Sequence, residues 1–199
     1  METMQVTERP VRIISCGIVK KELEEIIDRR SWDLEVTYLT SSLHMHPDTL
    51  YERIAQLLDK YGENPIVLVY GVCHPFIDRL IDRKRVFRID AQNCIDMLVG
   101  REVFTDELSS GGFFLLEGWV DNWNEMVSLS LGDDIDGIRE VFYSQFNHLV
   151  AVDLADERYR EKVSEISSSL GLEVKWIPKD SANLERLLDR VFEEMDYGK

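Results

Sequence analysis

Short β-prone runs alternate with amphipathic stretches along almost the whole chain, and this alternation restricts the fold more than any other feature. Residues 11–15 (VRIIS), 35–39 (EVTYL), 66–70 (IVLVY), 86–89 (VFRI), 112–116 (GFFLL), 148–153 (HLVAVD) and 173–177 (EVKWI) have the composition of strands. Between them, apolar residues recur at helical spacing. Leu23, Ile26 and Ile27 do so over residues 20–30, and Leu50, Ile54, Leu57, Leu58 and Tyr61 after Asp48. Leu184, Leu187, Leu188, Val191 and Phe192 follow a helix cap at Asp180 or Ser181. Strands separated by helices build βα units around a parallel sheet. Residues 66–70 are almost wholly apolar, as a strand covered on both faces requires. The expectation is an α/β, three-layer Rossmann-like domain with a mainly parallel sheet, spanning residues 11–199 as one domain behind a flexible tail of residues 1–10.

Size and charge narrow the function classes. A chain of 199 residues suits a single domain and buries enough surface to fold without disulfide staples. The net charge of −15 argues against partners that need a positive field, namely nucleic acid and anionic membrane surfaces. No apolar run approaches the roughly 20 residues of a membrane span. The first ten residues lack the apolar segment of a signal peptide. A cytoplasmic protein is therefore expected, with its three cysteines as reduced thiols. No GxGxxG, GxxxxGK or GxSxG pattern is present, so nothing points to a dinucleotide, a P-loop nucleotide or a serine-hydrolase elbow.

The cysteines are placed informatively. Cys16 ends the first predicted strand, Cys73 follows the third and Cys94 follows the fourth, while His44 lies in the loop after the second. Ligands of open parallel sheets bind outside the carboxyl ends of the strands, and parallel strands put these four loops on one edge. The four residues are 28, 29 and 21 positions apart, so only the fold could bring them together. Thiolate and imidazole are the donors zinc prefers, and three cysteines with one histidine complete a tetrahedron. Cys16 and Cys94 also precede predicted helices, whose N-termini favour the thiolate. The competing explanation is packing, because free cysteine is among the most buried residue types.

Other residues carry weaker expectations. His46 is an alternate ligand or a solvated loop histidine. His74 is a candidate acid/base or an orienting partner, or else caps the turn that begins at Pro75. Asp90 and Asp96 could orient a ligand, although ordinary helix capping and solvation explain them better. Asp153 also ends a predicted strand, and His148 reads as structural. Trp119 and Trp123 follow a strand at i, i+4 and could line a pocket mouth or pack in a core.

The segments Ile14-Ser15-Cys16-Gly17, Leu43-His44, Val69-Tyr70-Gly71-Val72-Cys73-His74-Pro75, 92–100 (QNCIDMLVG) and 112–115 with Gly118-Trp119 and Asn122-Trp123 together resemble a domain family of unknown function. That family occurs in methanogenic archaea and many anaerobic bacteria, and the resemblance runs from about Val11 to the last helix. Its pattern has cysteine at the positions of Cys16, Cys73 and Cys94 and histidine at His44, which implies a shared metal site. His46 falls outside that pattern, many members replace His74 and Pro75, and Leu116-Glu117 stands where threonine-proline is common. Members are often encoded near corrinoid-dependent methyltransferases. That neighbourhood is an association from which no mechanism follows, and with the Cys/His pattern it leaves three functions open. One is a zinc enzyme that activates a small-molecule thiol in corrinoid-linked one-carbon metabolism. Another is a non-catalytic metal-binding accessory of a corrinoid methyltransferase partner. The third is an iron–sulfur redox protein.

Overall fold

The computed structural model describes residues 11–81, 85–153 and 156–195; the tail expected at residues 1–10 lies outside them. All seven expected strands form: β1 (Val11–Cys16), β2 (Leu34–Leu39), β3 (Ile66–Val69), β4 (Val86–Arg88), β5 (Gly112–Leu115), β6 (His148–Asp153) and β7 (Val174–Pro178). The helices are α1 (Lys20–Arg30), α2 (Pro47–Tyr61), α3 (Asp78–Ile81), α4 (Cys94–Val99), α5 (Arg101–Ser109), α6 (Glu117–Asp121), α7 (Trp123–Leu131), α8 (Ile135–Gln145), α9 (Glu157–Leu170) and α10 (Ser181–Glu194). Short 3-10 turns at Gly17–Val19 and Ser41–Met45 follow β1 and β2. Among the described residues, no helix is long and apolar enough to cross a membrane.

Every strand pairing is parallel, in keeping with the α/β Rossmann-like reading, but the strands divide between two sheets. The first has the order β2-β1-β3-β4 and the second β5-β6-β7. Side-chain alternation explains how the two share one molecule. Ile13, Val67 and Val69 of the first sheet and Phe114, Val150 and Val152 of the second enter one common core with α1, α4 and α10. The opposite face of the first sheet packs Ile14, Ile66 and Leu68 against α2 and α3. The opposite face of the second packs Leu115, Leu149 and Ala151 against helices α6 to α9. Each sheet is thus the middle of an α/β/α sandwich, and the two sandwiches share their inner helical layer. Strand composition reveals burial on both faces but carries no signal for which strands join which sheet.

The inner layer has clear local causes. α10 presents Leu184, Leu187, Leu188, Val191 and Phe192 on one stripe, and Asp180 caps it by accepting from the Ala182 N–H at 3.0 Å. α4 is buried along its whole length, so it lies between elements on all sides. Its N-cap Asn93 accepts from the N–H groups of Ile95 and Asp96 at 3.0 and 2.9 Å. Asn183 of α10 donates to the carbonyls of Asp96 and Met97 at 2.7 and 3.1 Å, which ties α10 to α4.

Candidate functional site

The four residues expected to converge do so. Cys16, His44, Cys73 and Cys94 line one small cavity of about 20 Å³, together with Tyr70 and Trp119. This is about the space of one water or one ion. Cys16 is the last residue of β1, His44 sits in the 3-10 turn after β2, Cys73 in the loop after β3, and Cys94 begins α4. Among the described residues, no three histidine, cysteine, aspartate or glutamate side chains are grouped so that they could hold a metal ion as they now stand. Metal uptake at these four residues would thus need their side chains to turn inward.

Two sharp backbone contacts bring the loops together. Val72 donates its N–H to the Gln92 carbonyl at 2.8 Å, joining the Cys73 loop to the Cys94 loop. A Cβ on Gly71 would lie 2.3 Å from that same carbonyl oxygen, so only glycine permits the approach. The second contact comes from the other sheet. A Cβ on Gly118 would lie 2.7 Å from Ile18 Cδ1 and 2.8 Å from Ser41 Oγ, and this closeness delivers Trp119 to the cavity. Trp119 then stacks on His44, with ring centroids 5.1 Å apart and planes at 34°. His44 keeps an exposed edge, so the pair forms the wall between the cavity and solvent.

The electrostatics differ from the expectation at the helix starts. Burial pushes the Cys16 thiol up to about 11, with the neighbouring Cys73 adding to the rise. Burial also raises Cys73, against a partial offset from the Arg88 guanidinium. Cys94 is raised well above its ordinary value by burial and by Cys16 and Cys73. The expected thiolate preference at helix N-termini is therefore corrected: desolvation outweighs the few exposed N–H dipoles, and all three are thiols at neutral pH. Burial lowers the pKa of His44, which leaves it neutral.

Tyr70 is the residue that sequence reasoning missed. It is 2% exposed, and its hydroxyl has no hydrogen-bond partner among the described residues. Burial and all three cysteines raise its pKa, which places the phenol beside the thiols. The signal was a tyrosine directly after an aliphatic strand, where the sheet gives way to the site.

The remaining candidates stand behind or outside the cavity. His74 accepts from the Phe76 N–H at Nδ1 (3.0 Å), so its proton sits on Nε2 and faces Asp48 Oδ1 at 3.2 Å. With both nitrogens engaged and its ring on Tyr51, it pins the Cys73 loop to the start of α2. Asp96 is buried and accepts from the Gln92 N–H at 2.8 Å and from Arg101 Nε at 3.2 Å. Arg101 also reaches Asp90 at 3.2 Å. This clamp shapes the turn before Cys94 but does not line the cavity. His46 lies in a shallow outer recess of about 50 Å³ with Met45, Trp119 and Met126. Trp123 turns away to stack on Phe113 and Phe142 of the second sheet's outer core. His148 Nε2 donates to the buried Glu107 carboxylate at 3.1 Å, at the opposite, amino edge of the second sheet. Asp153 is bound by Arg160 at 2.8 Å.

A much larger concavity, about 670 Å³, lies elsewhere, between α7, α8 and α9, and carries Lys162 and Glu165. The converging chemistry is nevertheless in the small cavity. No curated protein and no solved structure matches the chain. A family model does match it, over residues 38–188, a span that holds His44, Tyr70, Cys73 and Cys94 but not Cys16, which lies 22 residues before its start. The chain belongs to that family, described as protein of unknown function (DUF1638).

Proposed function

We propose that the chain binds a single soft metal ion, zinc by its donor set, through Cys16, Cys73 and Cys94 with His44 as the fourth ligand. The observation that carries this reading is the convergence of three thiols from three strand exits, with an unpartnered phenol, on one cavity of ion size. Three cysteines packed as mere hydrophobes would have no reason to share a small cavity with an unsatisfied hydroxyl. The volume favours one ion over an iron–sulfur cluster, which would add several iron and sulfide atoms to a space of about 20 Å³. Sulfur ligands select zinc or another soft cation over magnesium or calcium.

The zinc would sit with a net charge near −1 on the three thiolates and neutral imidazole. The Tyr70 O–H would then donate to a thiolate, as groups around metal ligands commonly do. Thiol activation in corrinoid-linked one-carbon chemistry is the enzymatic extension of this reading, and the family resemblance is its support. The cavity has room for the ion and none for a substrate beside it, so that chemistry requires His44 and Trp119 to part.

Elemental analysis of the purified protein, with and without added zinc, tests the reading. One zinc per chain, lost in Cys73→Ser and retained in His74→Ala, is the expected result. Folded protein that takes up no metal would overturn it.

A further inference from the structure

A second recess lies next to the thiol cavity and has a different chemistry. It has a volume of about 180 Å³ and opens where the carboxyl edges of the two sheets meet. Gly17 and Ile18 come from the exit of β1, Ser41 from the exit of β2, and Leu116, Glu117 and Gly118 from the exit of β5. Glu22 and Lys21 of α1 and Asp121 of α6 complete its charged lining. It shares Ile18 and Ser41 with the thiol cavity but contains none of the thiols. Crevices outside strand carboxyl ends are where α/β proteins bind small molecules.

Glu22 points to the ligand. It is 2% exposed, and its Oε1 meets Lys179 Nζ at 3.2 Å. Lys179 is shared with Glu25, at 3.7 Å. Glu22 Oε2 is buried with no hydrogen-bond partner among the described residues. A buried carboxylate oxygen left without a donor is costly, and such atoms in folded proteins call for a partner. The missing partner must supply an N–H or O–H. The recess also carries Glu117 and Asp121 against the single Lys21, and Asp121 already binds Lys162. The lining therefore favours a donor that is also a cation.

We infer that this recess binds the primary ammonium group of a small organic molecule, with Glu22 as its anchoring carboxylate and Glu117 as the second anionic contact. A primary ammonium brings three N–H donors and one positive charge. A quaternary ammonium brings the charge with no donor and leaves Oε2 unsatisfied. The recess is independent of the metal reading, because no thiol lines it.

Binding of ethylammonium to the full chain, followed by ligand-observed NMR, tests this inference; tetramethylammonium, acetate and magnesium serve as comparison probes. A probe this small binds no tighter than about 1 mM. The expected result is saturable binding of ethylammonium, with tetramethylammonium and acetate not binding. Glu22→Gln should weaken binding by about tenfold or more, the size of a lost charged hydrogen bond. Should that variant fail to fold, Glu117→Gln decides, with an expected loss of about threefold. The outcome with Cys73→Ser should match wild type. No saturable binding, equal binding of tetramethylammonium, displacement by magnesium, or unchanged affinity in both glutamate variants would each overturn the inference.

Discussion

At the scale of single residues, the thiol cavity is governed by desolvation. Metal binding must displace a proton from each of Cys16, Cys73 and Cys94, because burial keeps all three protonated at neutral pH. His44 is already neutral and releases none. Zinc affinity should therefore rise steeply with pH, by up to about a thousandfold per pH unit below the thiol pKa values, measured by chelator competition between pH 6 and 8. A pH-independent affinity would mean that the thiols are not the ligands. The metal-free protein should show the opposite trend. A thiol whose pKa is raised on folding contributes stability that is present below its unfolded value and lost as pH rises toward the folded one. Cys16, raised from 9.0 to about 11, places that loss between those values, and urea titrations across this range would show it. Tyr70 allows a cleaner separation of roles. Removing its unpartnered hydroxyl as Tyr70→Phe should stabilise the metal-free protein, by up to about 1–3 kcal/mol, while weakening zinc binding. A merely structural tyrosine would not give opposite signs in urea unfolding and zinc titration. The cysteines and His44 were legible in the sequence because position after a strand is a sequence property. Tyr70 was not, because only the folded contacts show that its hydroxyl lacks a partner.

At the scale of elements, the cavity depends on how closely neighbouring loops can approach. The Cys73 and Cys94 loops touch through Gly71 and the Gln92 carbonyl, and no side chain fits there. Gly71→Ala forces backbone apart at 2.3 Å, so the loops must separate. This variant should lose about 1–3 kcal/mol in chemical denaturation and, if it folds, bind zinc more weakly. The Asp96 clamp acts on the same turn from behind. Asp96→Ala orphans the Gln92 N–H and leaves Arg101 to its bonds with Asp90, at a cost of about 1–3 kcal/mol. Its zinc affinity should fall although Asp96 does not line the cavity; unchanged affinity would show that the clamp serves only stability. Strand and helix placement was largely readable here, since hydrophobic period is local. α1 over residues 20–30 matches its periodicity residue for residue. The region after β5 was harder. There the short α6, which carries Trp119, stands as a separate helix directly before α7. The contact that justifies α6 is Gly118 against Ile18 and Ser41, which lie 100 and 77 positions earlier in the chain, and no local pattern encodes it.

At the scale of the whole molecule, the shared helical layer makes the two sheets interdependent. Inner faces of both sheets and the stripes of α1, α4 and α10 form one continuous core. The surface ion pairs that also join α1 to α10, such as Arg30 to Asp189 at 2.8 Å, are exposed and contribute little by comparison. The core therefore carries the coupling. Leu188 is fully buried within it, so Leu188→Ala should cost about 2–5 kcal/mol. The more informative measurement is whether that loss is felt on both sides of the layer. Trp32 reports on the first side, where it stacks edge-on against Phe192 of α10 at 4.8 Å. Trp176 reports on the second, where it stands against Tyr159 at 6.0 Å. Unfolding followed by the indole N–H NMR signals of Trp32 and Trp176 in the chain with all four tryptophans retained should give coincident transitions, and Leu188→Ala should shift both by the same amount. Zinc should do likewise in the opposite direction, because Trp119 of the second sheet closes a cavity built on the first. Zinc at about a hundred times its Kd should raise both midpoints together, equivalent to about 2.7 kcal/mol. Two separated transitions, with only the Trp32 side responding to zinc, would show that the sheets unfold independently and that Trp119 is a bystander to the site.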